Sequence, residues 1–209
     1  MKYPILARII PPFVKLWLRD VKGLEHIPKQ GGFILASNHA SYFDHFAIMS
    51  ILIPYLNRDI YFLAKKEHFK STHEKVWHSH FKAIPVDREK GTEALNKAIA
   101  HLQKGNIIAI YPEGTRTVTG SLNRGKTGVA RLALGANVPV IPIGLQGTFN
   151  ILPKGKYLPR LGKASMTVGK PLFFARYEKE KITKKLLRDI TDTIMNKIGT
   201  LAKKKYKWK

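Results

Sequence analysis

Phe33-Ile34-Leu35-Ala36-Ser37-Asn38-His39-Ala40-Ser41-Tyr42-Phe43-Asp44 passes from an apolar run, through a polar turn, into a helical pattern. A short apolar run bounded by polar residues reads as a buried strand, here Phe33–Ser37. The periodic segment after it predicts a helix over Phe43–Ile53. Strand, turn and helix in that order form the repeating unit of α/β folds. The unit recurs along the chain. Further strand candidates are Ile60–Ala64, Ala83–Val86, Ile107–Tyr111, Val138–Leu145 and Ser165–Val168. Further helix candidates are Thr92–Gln103 and Thr127–Leu134. A last helix shows Ile182, Leu186, Ile190, Ile194 and Ile198 in a stripe widened by Leu187 and Leu201, which predicts core packing. The expectation is an α/β fold: a mixed, mostly parallel sheet flanked by helices.

The turn after the first strand candidate carries the chemistry. Neutral imidazole takes a proton from an alcohol near neutral pH, so His39 is a candidate general base. Asp44 is placed to hold the other ring nitrogen and to stabilise the imidazolium that forms. With no cysteine and no Gly-x-Ser-x-Gly turn, the pair suits activation of a substrate hydroxyl better than of an enzyme nucleophile. The plainer reading of such a pair is a polar cap at a helix start. Ser41-Tyr42-Phe43-Asp44 has Ser-x-x-Asp capping spacing, and its amides, or that of Gly114, are candidates to face an oxyanion.

A second motif, Tyr111-Pro112-Glu113-Gly114-Thr115-Arg116, follows Ile107-Ile108-Ala109-Ile110. Gly114 lets backbone approach a ligand closely. Arg116 offers a planar fork of donors matched to phosphate oxygens, and Thr115 adds a hydroxyl. The plainer reading is a strand-end turn with a Glu–Arg surface pair.

Together these motifs resemble the glycerolipid acyltransferase family that includes 1-acylglycerol-3-phosphate acyltransferases. Its ordered blocks match Asn38-His39-x-Ser41-x-x-Asp44, then Ile84-Pro85-Val86-Asp87-Arg88, then Glu113-Gly114-Thr115-Arg116, then Val138-Pro139-Val140-Ile141-Pro142-Ile143. The resemblance runs from about Gly23 to about Pro171. The family often has a Gly- and Pro-containing connection where this chain has His73-Glu74-Lys75-Val76-Trp77-His78-Ser79-His80. The resemblance implies transfer of a fatty acyl group from acyl-coenzyme A or acyl carrier protein to the sn-2 hydroxyl of lysophosphatidic acid. It implies catalysis by His39 and Asp44. It implies substrate contacts from Asn38, Ser41, Arg88, Glu113, Gly114, Thr115, Arg116 and Pro142, the last beside the acyl channel at a strand end. Arg88 rests on the resemblance more than on physics. No metal or cofactor is expected, because a thioester is already activated.

The chain has 209 residues, 37 Lys and Arg, 14 Asp and Glu, and no cysteine. That length predicts one domain, with 1–22 an amphipathic N-terminal helical segment broken at Pro11-Pro12, and 23–209 the catalytic body. No signal peptide is expected, and no segment is suited to span a bilayer. The absence of cysteine excludes disulfides and thiolate metal sites. His73, His78 and His80 cluster without zinc spacing. A formal charge of +23 predicts attraction to a polyanion. The family acceptor makes that an anionic membrane surface, placing the protein peripherally on the cytoplasmic face of the cell membrane. Arg124, Lys126 and Arg131 add charge near the second motif. The tail Lys203-Lys204-Lys205-Tyr206-Lys207-Trp208-Lys209 suits a lipid interface, RNA phosphates, or a solvated frayed end. A nucleic-acid binder would explain the charge but leave the motifs unexplained. A hydrolase would use His39 on water.

Overall fold

A computed structural model of the protein describes residues 14–65, 82–86, 91–177 and 180–208. Among the described residues seven strands form one sheet in the order β1-β7-β6-β2-β5-β3-β4. They are β1 (Leu18–Lys22), β2 (Phe33–Ser37), β3 (Ile60–Lys65), β4 (Ala83–Val86), β5 (Ile107–Ile110), β6 (Val140–Gln146) and β7 (Ala164–Val168). The helices are α1 (Phe43–Leu56), α2 (Gly91–Gln103), α3 (Gly128–Ala136), the short α4 (Thr148–Ile151) and α5 (Lys184–Leu201). β2, β3, β4, β5 and β6 run parallel, whereas β7 is antiparallel to β6 and β1 is parallel to β7. The sheet is therefore mixed and mostly parallel, as the alternating pattern predicts.

Alternation along the central strands sorts the core into two layers. Phe33, Leu35, Ile107, Ala109, Ile141 and Ile143 pack with α1 residues Ala47, Ile48 and Leu52. Ile34, Ala36, Ile108 and Val140 pack on the other face, with residues of α2, α3 and α5. Strands covered on both faces have no polar side, which is why β5 is apolar throughout and β2 is apolar up to the buried Ser37 at its end.

Several boundaries differ from the sequence expectation. Leu18–Lys22 is not part of a helical segment: residues 14–17 are helical, and the chain then joins the sheet edge as β1. Val14 and Leu18 are buried, and Trp17 packs against the core. β1 escapes a periodicity reading because it is an edge strand loaded with Arg19, Asp20 and Lys22, charges that keep an open edge from pairing with other chains. The remainder of the expected N-terminal helix lies outside the described residues. α1 runs past Ile53 through Pro54 to Asn57, whose left-handed conformation closes it. Pro54 has no N–H for the Ser50 carbonyl, and the helix ends two residues later at Leu56. Ile182 falls outside α5 and is exposed, because the Thr183 side chain caps the helix by accepting the Leu186 amide at 3.1 Å.

The C-terminal tail is not a frayed end. Tyr206 is buried, and its hydroxyl donates to Asp192 Oδ1 at 2.8 Å and accepts from the Gly125 amide at 3.3 Å. Lys204 Nζ donates to the Gly120 carbonyl. Among the described residues no helix is long and apolar enough to cross a membrane.

α5 lies directly on β6 at Gly144, where a Cβ would stand 2.3 Å from both Ala202 N and Leu201 C. Neither backbone group can rotate away, so Gly144→Ala is expected to destabilise the fold by roughly 2–4 kcal/mol. Urea unfolding checks this. An unchanged midpoint would mean that the helix is not seated on the strand.

Candidate active site

The first two motifs of chemistry-bearing residues meet at one edge of the sheet. β2, β5 and β6 are parallel, so the loops that follow them emerge together. Crevices outside the carboxyl ends of parallel strands are where open α/β sheets bind ligands.

Asp44 is the centre of the arrangement. It sits in the first turn of α1 with no exposed surface. Its Oδ2 accepts from His39 Nδ1 at 2.9 Å, from the Ala40 amide at 2.7 Å and from the Ser41 amide at 2.8 Å. With Nδ1 spent on the carboxylate, Nε2 is the ring nitrogen left to meet a substrate. The His39 ring stacks on Tyr111, centroids 3.9 Å apart and planes 12° from parallel, and meets His45 edge-on at 5.4 Å. Burial, then the negative charge of Asp44, pushes the Tyr111 phenol well above its ordinary range, so the stacking partner stays neutral.

The expected capping box forms by one half. Asp44 takes the Ser41 amide, but Ser41 Oγ accepts from Phe43 N at 3.0 Å and donates to the Leu152 carbonyl at 2.7 Å. The candidate oxyanion amides are also occupied. Those of Ala40 and Ser41 serve Asp44, Tyr42 N serves Leu152 O, Phe43 N serves Ser41, and Gly114 N serves Tyr111 O at 2.9 Å. The same amides cannot also face an oxyanion without breaking these bonds.

Three of the expected substrate contacts turn inward. Asn38 is buried and pairs with Leu145 like a strand residue: Nδ2 donates to its carbonyl at 3.0 Å and Oδ1 accepts its amide at 2.8 Å. Ser41 is buried with both hydroxyl functions engaged. Glu113 is buried, and its two oxygens accept from His39 N and Asn123 N, each at 2.7 Å. A substrate would have to break these bonds to reach the three side chains. It is not a Glu–Arg surface pair.

Others face outward. Thr115 is exposed, Gly114 and Arg116 are half-buried, and the Arg116 guanidinium lies 3.4 Å over the Tyr42 ring. Lys126 packs over Gly114, where a Cβ would stand 3.2 Å from its Nζ. Arg124 and Arg131 are exposed. Pro142 stands inside β6, opposite Ala36, and not at a strand end. Its peptide faces the Gly169–Leu172 side, where its carbonyl accepts from Gly169 N at 2.8 Å and the ladder asks for no donor. The edge-strand proline is Pro85, in β4. Arg88, His73, His78 and His80 lie outside the described residues.

Sequence reasoning missed two contributors. Tyr111 opened the second motif but gave no sign of stacking on His39. Lys204 was read only as part of a basic tail. It is half-buried, and its charge acts on both Glu113 and Asp44.

A family model described as "Acyltransferase" matches residues 19–146. The chain belongs to this acyltransferase family. It is 30% identical over 182 residues to the 1-acyl-sn-glycerol-3-phosphate acyltransferase of Bacillus subtilis, covering 86% of each chain. It is 29% identical to the chloroplastic 1-acyl-sn-glycerol-3-phosphate acyltransferase BAT2 of Brassica napus, over 78% of this chain and 47% of that one. The chain thus spans about half the length of that plant relative. The crystal structure of PlsC, the 1-acyl-sn-glycerophosphate acyltransferase of Thermotoga maritima, superposes with a TM-score of 0.73 at 24% identity, over 97% of this chain and 82% of that one. That likeness confirms the α/β fold of this acyltransferase.

Burial pushes the Glu113 carboxyl up from 4.5 to about 7, against the backbone donors Asn123 and His39 and the Lys204 charge; Asp44 raises it further. A carboxyl raised on folding adds stability below its unfolded pKa, and that stability is lost as pH rises through the folded value. Wild type should therefore lose stability relative to Glu113→Gln between about pH 4.5 and pH 7. The spread is on the order of 3 kcal/mol. The mispaired amide of the variant adds a pH-independent offset. Parallel stability–pH curves from denaturant titrations would place the carboxyl at its ordinary value.

Proposed function

We propose that this acyltransferase moves a fatty acyl group from an acyl thioester to the sn-2 hydroxyl of lysophosphatidic acid, giving phosphatidic acid. The observation that carries the reading is the buried Asp44–His39 pair at 2.9 Å, with Arg116 on the loop that closes over it through the Thr117 N to His39 O bond at 2.9 Å. A general base thus lies beside a fork suited to phosphate. The names of the bacterial and plant relatives support the choice of acceptor.

In the proposed mechanism His39 Nε2 takes the proton of the acceptor hydroxyl. Asp44 holds the ring by Nδ1–H and balances the imidazolium charge. The oxygen attacks the thioester carbonyl. The tetrahedral intermediate collapses by breaking the C–S bond, and the imidazolium proton goes to the leaving thiolate. No acyl-enzyme forms, and no metal or cofactor is required. The donor is acyl-coenzyme A or acyl carrier protein. Arg116 grips the acceptor phosphate with help from Thr115, Gly114 and Lys126, and Arg88 is a second phosphate ligand. Asn38, Ser41 and Glu113 are positioning residues: they hold the loop that bears His39. Pro142 shapes β6 beneath the acyl chain. The acceptor is a membrane lipid, so the enzyme works peripherally on an anionic membrane surface, on the cytoplasmic side.

The test is transfer by purified protein in detergent micelles, with oleoyl-coenzyme A and then acyl carrier protein donors, and lysophosphatidic acid against other lysophospholipids. Phosphatidic acid should form, with thiol released in step. His39→Ala should cost about 10²–10⁴ in kcat while the circular dichroism spectrum stays that of wild type. Wild-type turnover by that variant would sink the mechanism, and free fatty acid without acceptor would make the protein a hydrolase.

Arg116→Ala should raise the acceptor KM at least tenfold and leave the donor KM unchanged, since the guanidinium serves only the phosphate. Steady-state kinetics with each substrate varied in turn checks this. Unchanged acceptor constants would remove Arg116 from the site.

A further inference from the structure

The connection between β6 and β7 carries the most exposed apolar side chains of the described molecule. Tyr157 is 88% exposed, Leu158 82% and Leu161 97%. They belong to Pro153-Lys154-Gly155-Lys156-Tyr157-Leu158-Pro159-Arg160-Leu161-Gly162-Lys163, and no Asp or Glu occurs between Gln146 and Tyr177. Leaving large apolar groups in water has a cost that a purely connecting loop has no reason to bear.

We infer that residues 153–163 form an insertion loop that docks on an anionic phospholipid surface and delivers the acceptor lipid to His39. Tyr157, Leu158 and Leu161 enter the headgroup–acyl boundary, while Lys154, Lys156, Arg160 and Lys163 pair with lipid phosphates. The inference rests on the membrane-lipid acceptor proposed above.

Position argues for it. β6 is parallel to β2, so the loop leaves the sheet at the edge where His39 stands. It is fastened there by backbone bonds. Leu152 O accepts from Ser41 Oγ at 2.7 Å and from Tyr42 N at 3.1 Å, and Ser41 bridges to Pro153. Farther along, Arg160 N donates to Ile151 O at 2.8 Å and Arg160 O accepts from Trp17 Nε1 at 2.9 Å. The base of the loop is therefore fixed to the residues around His39, and its apolar tip is not packed.

Composition argues for a bilayer over a protein partner. Basic residues alternate with a tyrosine and leucines in one short loop, the pattern that places cations at lipid phosphates and rings at headgroup depth. A lipid acceptor also enters from the side of the membrane, so a contact beside His39 shortens its path.

The chain has no cysteine, so Leu161→Cys labels at one place. The probe is a nitrobenzoxadiazole group on Cys at that position, with Phe173→Cys, an exposed apolar residue elsewhere, as the reference. Mixed phosphatidylglycerol–phosphatidylcholine vesicles should shift the emission at position 161 to the blue and leave that at position 173 in water. Leu158→Ser with Leu161→Ser should weaken vesicle partitioning about tenfold or more while the circular dichroism spectrum and urea midpoint stay those of wild type. Raising salt should weaken wild-type binding, since the cationic contacts are screened. Protein that sediments with the vesicles while position 161 reports water would overturn the inference. So would a blue shift produced only by an acidic carrier protein without vesicles. Insertion at position 161 by a protein that transfers no acyl group would uphold the loop and sink the proposed reaction instead.

Discussion

A carboxylate with no exposed surface must find donors inside the protein, and Asp44 finds them in the residues just before it. His39, Ala40 and Ser41 all turn toward Oδ2, which forces the chain leaving β2 to wrap around the head of α1. That wrap decides which imidazole nitrogen faces inward. It also consumes the amides of the turn, so the segment cannot be held by further backbone pairing with the sheet. Its other anchors are one strand and two loops: Asn38 to Leu145 in β6, Ser41 to Leu152 after α4, and the His39 amide to Glu113 after β5. Losing the Asp44 charge would leave these anchors in place and remove what gives the ring its orientation.

The charge of the molecule takes on a different meaning around this site. The chain is strongly basic, yet the interior behind His39 holds two buried acids, Asp44 and Glu113. Buried like charges raise each other's energy, and the opposing influence comes from cations and backbone donors at close range. Lys204 supplies part of it from the far end of the chain, held against the Gly120 carbonyl, while Tyr206 ties the same tail to Asp192 on α5. Arg116 and Lys126 stay at the rim, where an anionic group can reach them. The acids therefore hold the His39 turn from inside, and the cations stand outside it.

Much of this is legible before any coordinates. β2 and the onset of α1 are where the apolar run and the helical period put them, because a strand buried on both faces leaves a continuous apolar signature. The His39–Asp44 pair forms because the turn before α1 wraps back onto the carboxylate through the Ala40 and Ser41 amides. β1 was illegible because an edge strand is selected for charge and not for burial. That Asn38, Ser41 and Glu113 bond inward is not legible in the sequence for a related reason. A polar side chain in a motif looks the same whether it faces a ligand or an orphan backbone group, and only the accounting of donors and acceptors separates the two. Lys204 gave no local signal, since its role depends on where α5 ends.

The motif Glu113-Gly114-Thr115-Arg116 shows how that accounting works within four consecutive residues. Gly114 has φ +68, a left-handed conformation that a side chain would strain, and a Cβ there would also press on Lys126. The reversal at this glycine lets its neighbours point opposite ways. Glu113 turns in, to bridge the His39 and Asn123 amides, and Arg116 turns out, over Tyr42. Without the reversal, the acid that fixes the base and the cation suited to phosphate would share one side of the loop and neutralise each other. The glycine acts at the site through the backbone. It keeps an inward carboxylate and an outward guanidinium apart while both stay in contact with the turn that bears His39.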